Sequence, residues 1–334
     1  MWGAGDVTIP APSRVSSAGR ARDNGGTRPE GDPTVSTTPV VTHTRPELSD
    51  ALAGLSGTRA LVMTMGALHE GHLTLVRRAH ELADHVVVSI FVNPTQFAPG
   101  EDYDAYPRTL AADVERLAEV GADVVWAPQP PDVYLTDPRI TIDPGPIARV
   151  LEGATRPTHL AGVALIVTKV IGLTRPDVAI FGQKDAQQLA MVRTLVADLD
   201  LPVRIEGVPI ARDADGVARS SRNRYLSGIE RRHARSLSRS LRAGVTALDE
   251  GAPVSAALEM VRGVLEGEEG VEVDYVAART RDGFDAADDS TPVGTDVYLL
   301  VAARVGATRL IDNAVATIGG RGATGGDPEG EHHE

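Results

Sequence analysis

The chain of 334 residues contains no cysteine, which removes disulfide frameworks, thiolate zinc sites and cysteine nucleophiles together and fits a reducing compartment. Only twelve residues are aromatic, so few platforms exist for stacking bases. Positive charge is in deficit: the formal net charge is −13, and so acidic a chain is repelled by phosphate polymers unless its cations are concentrated locally. Long apolar runs are missing too. The longest, LAGVALIV over 160–167, falls well short of the roughly 18 residues needed to cross a bilayer. Nucleic acid and membrane are therefore not the expected partners. The scarcest residue with chemistry is lysine: of 33 basic residues 31 are arginine, leaving only Lys169 and Lys184. Lysine is a compact point charge on a flexible stem rather than a planar fork. Lys169 lies in an apolar helical run and can snorkel. Lys184 sits in FGQKD, directly after an apolar strand.

What is present reads as a folded centre between two low-complexity ends. Residues 1–38 are rich in Gly, Pro, Ser and Thr and lack periodicity, predicting a disordered extension. They hold no apolar segment of the secretory type, and their four arginines are offset by Asp6, Asp23, Glu30 and Asp32. Residues 319–334 read as a disordered tail. Across 39–212 short apolar runs (ALVMTM, HVVVSIFV, DVVWAP, DVAIFG, VRIEGVPIA) alternate with helical patterns. Such strands, separated by helices of about 10–15 residues, predict an α/β, Rossmann-like, doubly wound parallel sheet. Its ligands belong beyond the carboxyl ends of the strands. After Arg212 the texture changes: a DADG turn, helices over 227–250 and 254–266, then the alternating strands VEVDYVAAR, DVYLLVAAR and TRLIDNAV. This predicts a smaller C-terminal α+β domain over 213–318.

The strongest local feature is the strand-to-helix turn Met65-Gly66-Ala67-Leu68-His69-Glu70-Gly71-His72. Its glycines allow a tight turn, and free N–H groups at the start of the helix suit an anion. Two histidines three apart can reach the same phosphates. The glycine spacing mimics a Walker A loop, but His72-Leu73 stands where Lys-Ser/Thr is required, and HEGH is one residue short of HExxH. The competing structural reading is a histidine pair that only caps the helix. FVNPTQF follows a second strand and projects Gln96 at the sheet edge. FGQKDAQQL repeats the strand–turn–helix geometry, with Lys184, Asp185 (a plain N-cap in the bland reading) and Gln188. RSSRNRYLS offers two hydroxyls and a guanidinium to a polyphosphate, or else a serine-rich cap. The following helix carries Arg231, Arg232, Arg235, Arg239 and Arg242. A solvated face paired with nearby acids explains these arginines better than RNA binding does.

Together MGALHEGH, FVNPTQF, YPRTL, TRPTHLAGV, FGQKDAQQL and SSRNRYL, in order between about Leu61 and Asn313, resemble the pantoate–β-alanine ligase family. That family sits in the superfamily of nucleotidylyltransferases and class I aminoacyl-tRNA synthetases. The resemblance implies an ATP-dependent ligase that joins (R)-pantoate to β-alanine through a pantoyl adenylate, releasing AMP and pyrophosphate. It implies ATP contacts from Met65, Gly66, Ala67, Leu68, His69, Glu70, Gly71 and His72, from Gly182, Gln183, Lys184 and Asp185, and from Ala211, Arg219, Ser220, Ser221 and Arg222. His69, His72 and Lys184 would be catalytic, with His72 in the proton-donor position. Gln96, Gln188, Arg156 and His159 would hold pantoate, and Gln96 also β-alanine. Mg²⁺ would accompany ATP, with Asp113 and Asp185 as guesses for ligands. A cytoplasmic homodimer is implied as well. Three positions depart from the family pattern: Gln183 replaces a Glu, Arg219 a Met, and Ala211 a larger apolar residue. A nucleotidylyltransferase with another acceptor is the nearest rival reading, and a nucleic-acid-binding module a more distant one.

Overall fold

The computed structural model describes residues 38–320, apart from 99, 102 and 137. Most of the two expected disordered ends thus lies outside the described residues. Gly319 and Gly320, assigned to the tail from sequence, instead close a turn after the last strand, with the Gly320 N–H donating to the Thr317 carbonyl at 3.0 Å.

Six strands form one wholly parallel sheet: β1 (Val40–Thr42), β2 (Arg59–Thr64), β3 (His85–Ile90), β4 (Val124–Trp126), β5 (Val178–Gly182) and β6 (Arg204–Val208). Their spatial order is β1-β4-β3-β2-β5-β6. Between them run α1 (Arg45–Ala53), α2 (Glu70–Leu82), α3 (Leu110–Glu119), α4 (Pro130–Val133), α5 (Glu152–Thr155), α6 (His159–Thr174) and α7 (Ala186–Asp198). The central strands are apolar over most of their length because both faces are covered. Leu61, Val87, Val124 and Ala179 pack on α1, α6 and α7. Their neighbours Ala60, Val62, Val86, Val88, Val125, Val178 and Ile180 pack on α2 and α3. The chain winds outward from β2 through β3 to β4, then returns to lay β5 on the other side of β2. Strand order reverses at that point, so a crevice opens beyond the carboxyl ends of β2 and β5.

The remaining residues form a three-stranded antiparallel sheet of β7 (Val271–Thr280), β8 (Asp296–Val305) and β9 (Thr308–Thr317), preceded by α8 (Gly228–Asp249) and α9 (Val254–Glu266). On β8, Val297, Leu299, Val301 and Ala303 face those two helices. The alternate residues Tyr298 and Leu300 pack with Ala186 and Ala190 of α7. One face of this sheet therefore sits against the parallel-sheet part, immediately behind the turn that carries Lys184. The DADG turn is present, with Gly216 at φ +87° and an antiparallel bridge between Arg212 and Ala218. Among the described residues no helix is long and apolar enough to cross a membrane.

Candidate active site

The reversal of strand order gathers the expected residues. Met65, His69, Gly71 and His72 after β2, Gln96 after β3, Gly182, Lys184, Asp185 and Gln188 after β5, and Ala211, Arg219, Ser220, Ser221 and Arg222 beyond β6 line one cavity of about 280 Å³. Val163, Ile166 and Val167 of α6 give it an apolar wall. A second cavity of about 140 Å³ adjoins it, sharing Met65, Gln96, Lys184, Gln188 and Arg222 and adding Arg156 and His159. Gly66, Ala67, Leu68, Glu70 and Gln183 line neither cavity. Glu70 pairs with Arg77 on the surface. The Gln183 side chain lies by Gly207 on β6, outside both cavities.

The turn after β2 is held from outside the site. Asp113 is buried, and its carboxylate accepts the N–H groups of Ala67 (3.0 Å) and Leu68 (2.8 Å) and the Thr109 hydroxyl (3.1 Å). Asp113 thus serves this loop, and it lines neither cavity. At the start of α2 itself, two of the N–H groups expected to be free are turned to the histidine rings. The His69 N–H points at Nδ1 of His72 (3.3 Å) and the Gly71 N–H at Nδ1 of His69 (3.1 Å). The histidines thus cap the helix, a task usually given to Ser, Thr, Asp or Asn, and face the cavity as well. The capping reading holds, and the same two rings line the cavity.

Capping fixes the chemistry of these rings. With Nδ1 accepting from the backbone, a neutral imidazole carries its proton on Nε2. Burial, then the neighbouring His69 ring, pushes the His72 pKa down to about 3. Burial, then Lys184, Arg219 and Arg116, lowers that of His69. The ring centroids are 4.1 Å apart, a spacing that disfavours two charges side by side. At neutral pH both rings are N–H donors rather than cations. Gly71 is the close neighbour that permits this: a Cβ there would lie 2.9 Å from His69 Cε1.

Gln96 is set by a residue that the sequence offered only as a turn signal. Asn93 is fully buried, and its Nδ2 donates to Gln96 Oε1 (3.0 Å) and to the Gly162 carbonyl (3.2 Å). Its Oδ1 accepts from the hydroxyls of Tyr134 (2.8 Å) and Thr95 (3.0 Å). Gln96 therefore offers its NH₂ group to an acceptor in the cavity. Arg156 and His159 act on the same loop from the side. Arg156 forks onto Glu101 (2.9 and 2.8 Å), which holds that carboxyl below its usual range. The Arg156 guanidinium also donates to the Gln96 carbonyl, and Nδ1 of His159 lies 3.2 Å from that oxygen. Burial, then Arg156, lowers the His159 pKa.

Around Lys184, Asp185 occupies the N-cap position of α7 but makes no capping bond with its side chain. Gln188 faces the cavities, whereas the adjacent Gln187 is buried and donates to the carbonyls of Ile147 (2.6 Å) and Val150 (2.8 Å). Arg219 lies 3.0 Å from Asp213, which offsets its added charge, and Ser220 opens a 3₁₀ turn by accepting the Arg222 N–H. In the arginine-rich helix, Arg231 pairs with Asp213 and Asp215 and Arg239 with Glu268. Among the described residues no three His, Cys, Asp or Glu cluster as metal ligands.

A family model for pantoate-beta-alanine ligase matches residues 40–315. The chain is 50% identical over 286 residues to the pantothenate synthetase of Corynebacterium jeikeium, covering 85% of this chain and 91% of that protein. It is 49% identical to that of Acidothermus cellulolyticus, over 82% of this chain and 91% of the relative. Among solved structures it resembles pantothenate synthetase from Thermus thermophilus, with a TM-score of 0.76 and 40% identity over 82% of this chain and 98% of that one. It also resembles pantoate-beta-alanine ligase from Francisella tularensis in complex with beta-gamma ATP and beta-alanine, with a TM-score of 0.67 and 28% identity, covering 83% and 97%.

Proposed function

The chain belongs to the pantoate–β-alanine ligase family, and on that premise we propose how its crevice performs the ATP-dependent condensation of pantoate with β-alanine. The observation that carries the reading is convergence: His72, Lys184 and Arg222, distant in sequence, line one cavity together with Gln96 and Gln188. In the first step a pantoate carboxylate oxygen attacks the α-phosphorus of ATP, and the bond to the β-phosphate breaks to release pyrophosphate. The demand on the protein is alignment and neutralisation of accumulating phosphate charge. His69 and His72 supply Nε2–H donors, Lys184 an ammonium, and Ser220, Ser221 and Arg222 a cap over the phosphates. Gln96 and Gln188 orient the hydroxy acid. In the second step the neutral β-alanine amine attacks the acyl carbon, AMP departs, and the amine loses its extra proton. The apolar wall of α6 keeps water from competing for the mixed anhydride.

Mg²⁺ enters this proposal with ATP. No cluster of three protein ligands is available among the described residues, and Asp113 is spoken for. Asp185 alone of the two candidates lines the cavity. A cation held mostly by phosphate oxygens and water fits that supply. A homodimer and a cytoplasmic location belong to the same proposal, supported by the family resemblance.

The test is an omission assay with ATP, Mg²⁺, pantoate and β-alanine. Pyrophosphate release should require pantoate but not the amine, and AMP release with turnover should require both. AMP formed with neither acid nor amine would reject the reading in favour of a nucleotidylyltransferase or hydrolase.

A further inference from the structure

The residue that fixes Lys184 lies 129 positions away, on the antiparallel sheet. Asn313 of β9 is 3% exposed, and its Nδ2 donates to the carbonyls of both Gln183 (2.8 Å) and Lys184 (2.9 Å). Both hydrogens of one amide are thus spent on the backbone of the turn that presents the ammonium. Asn313 is in turn held by Asp312, also 3% exposed, whose Oδ1 accepts the Asn313 N–H at 2.8 Å. Arg212 forks onto Asp312 (2.7 and 3.0 Å) and donates to the carbonyls of Asn313 (3.3 Å) and Gly216 (3.1 Å). The hairpin that begins at Arg212 leads directly into the seryl–guanidinium segment, with the Arg219 N–H bonded to the Ala211 carbonyl at 2.9 Å. One continuous hydrogen-bonded path therefore runs from the root of that segment, through Arg212, Asp312 and Asn313, to Lys184.

Nothing about joining two sheets demands such a buried polar path. Beside it, Tyr298 and Leu300 pack with Ala186 and Ala190 by apolar contact. A buried polar network is costly unless every member is satisfied, and satisfied it rigidifies what it touches. We infer that Asn313 is a positioning residue for Lys184, and that the Arg212–Asp312 fork links its placement to the Ser220–Arg222 segment. The inference rests on the role proposed above for Lys184.

The test is a mutant cycle read by single-turnover pyrophosphate release from ATP, Mg²⁺ and pantoate, with ATP affinity measured by titration. Asn313→Asp keeps the shape but aims a carboxylate at two carbonyl oxygens. It should slow adenylate formation about 10²-fold, the cost of a misplaced catalytic group, with ATP affinity within about threefold of the parent. In a Lys184→Ala background the same substitution should cost nothing further, because residues acting as a unit are not additive. Parent-like rates in Asn313→Asp, or an equal loss in both backgrounds, would overturn the inference. If Asn313→Asp does not fold, Arg212→Lys, which keeps the charge and loses the fork, carries the same cycle. A loss of about tenfold that vanishes without Lys184 is expected, and an additive loss overturns the inference. Failure of the functional reading would appear separately, as absence of pantoate-dependent pyrophosphate release in the unsubstituted protein.

Discussion

At the scale of single residues, the site is built from groups that do two jobs. His69 and His72 cap α2 and line the cavity with the same rings. Gly71→Ala separates the two tasks. Alanine is worth up to about 1 kcal/mol over glycine within a helix, but its Cβ would press on the His69 ring. The thermal midpoint should hold within a few degrees while turnover falls at least about tenfold, measured by paired melting and AMP release. Lys184 carries no such structural burden through its side chain. Lys184→Ala should keep the circular dichroism spectrum and lose about 10²–10³ in adenylation rate, the scale of removing one preorganised charge-stabilising donor. Near-normal turnover would take the ammonium out of the mechanism.

At the scale of elements, the sequence read well wherever a local pattern carried the signal. β2 through β9, the major helices α2, α3 and α6–α9, and the turn at 213–216 follow from periodicity and turn chemistry. β1 and α1 went unread, although Thr44 and Glu47 form a capping box with Pro46 behind the cap. A three-residue strand is too short to show a period. The candidate site was legible as far as its motifs reached: residues after β2, β3 and β5 were placed because each follows a strand. Asn93, Tyr134, Asp312 and Asn313 were not, because their partners lie far along the chain and burial, not spacing, defines their roles. The bracing role of Asp113 was hidden for the same reason, since only the fold brings Ala67 and Leu68 onto its carboxylate. Gly162 shows one element shaping another: a Cβ there would meet the Thr95 carbonyl oxygen at 2.2 Å and the Gln96 nitrogen at 2.8 Å. Backbone cannot yield as a side chain can. Gly162→Ala should therefore cost about 1–3 kcal/mol and raise the KM for pantoate by moving the loop that carries Gln96. A denaturant midpoint equal to the parent would refute it.

At the scale of the whole molecule, the neutral histidines make folding depend on pH in a defined direction. The His72 pKa is about 3 in the native state against an ordinary 6.5, and those of His69 and His159 are also lowered. The unfolded chain thus binds more protons than the folded one as pH falls below about 6.5, and stability drops with it. Each such histidine contributes at most about 1.4 kcal/mol per pH unit, and His72 does so until about pH 3. Between pH 6.5 and 5, above the range in which most carboxylates titrate, denaturation should show this slope, and His72→Asn should flatten it by one proton. An unchanged slope in that variant would mean the ring is not held neutral.

The position of Lys184, on the walls of both adjoining cavities, gives the molecule a built-in reporter. Lys169, the other lysine, rests with Nζ 5.3 Å from the centre of the Tyr134 ring. A chain with two side-chain amines, one stacked on a phenol and one at the meeting of two cavities, lends itself to acylation footprinting. The mass of a single peptide then records whether the crossroads is occupied.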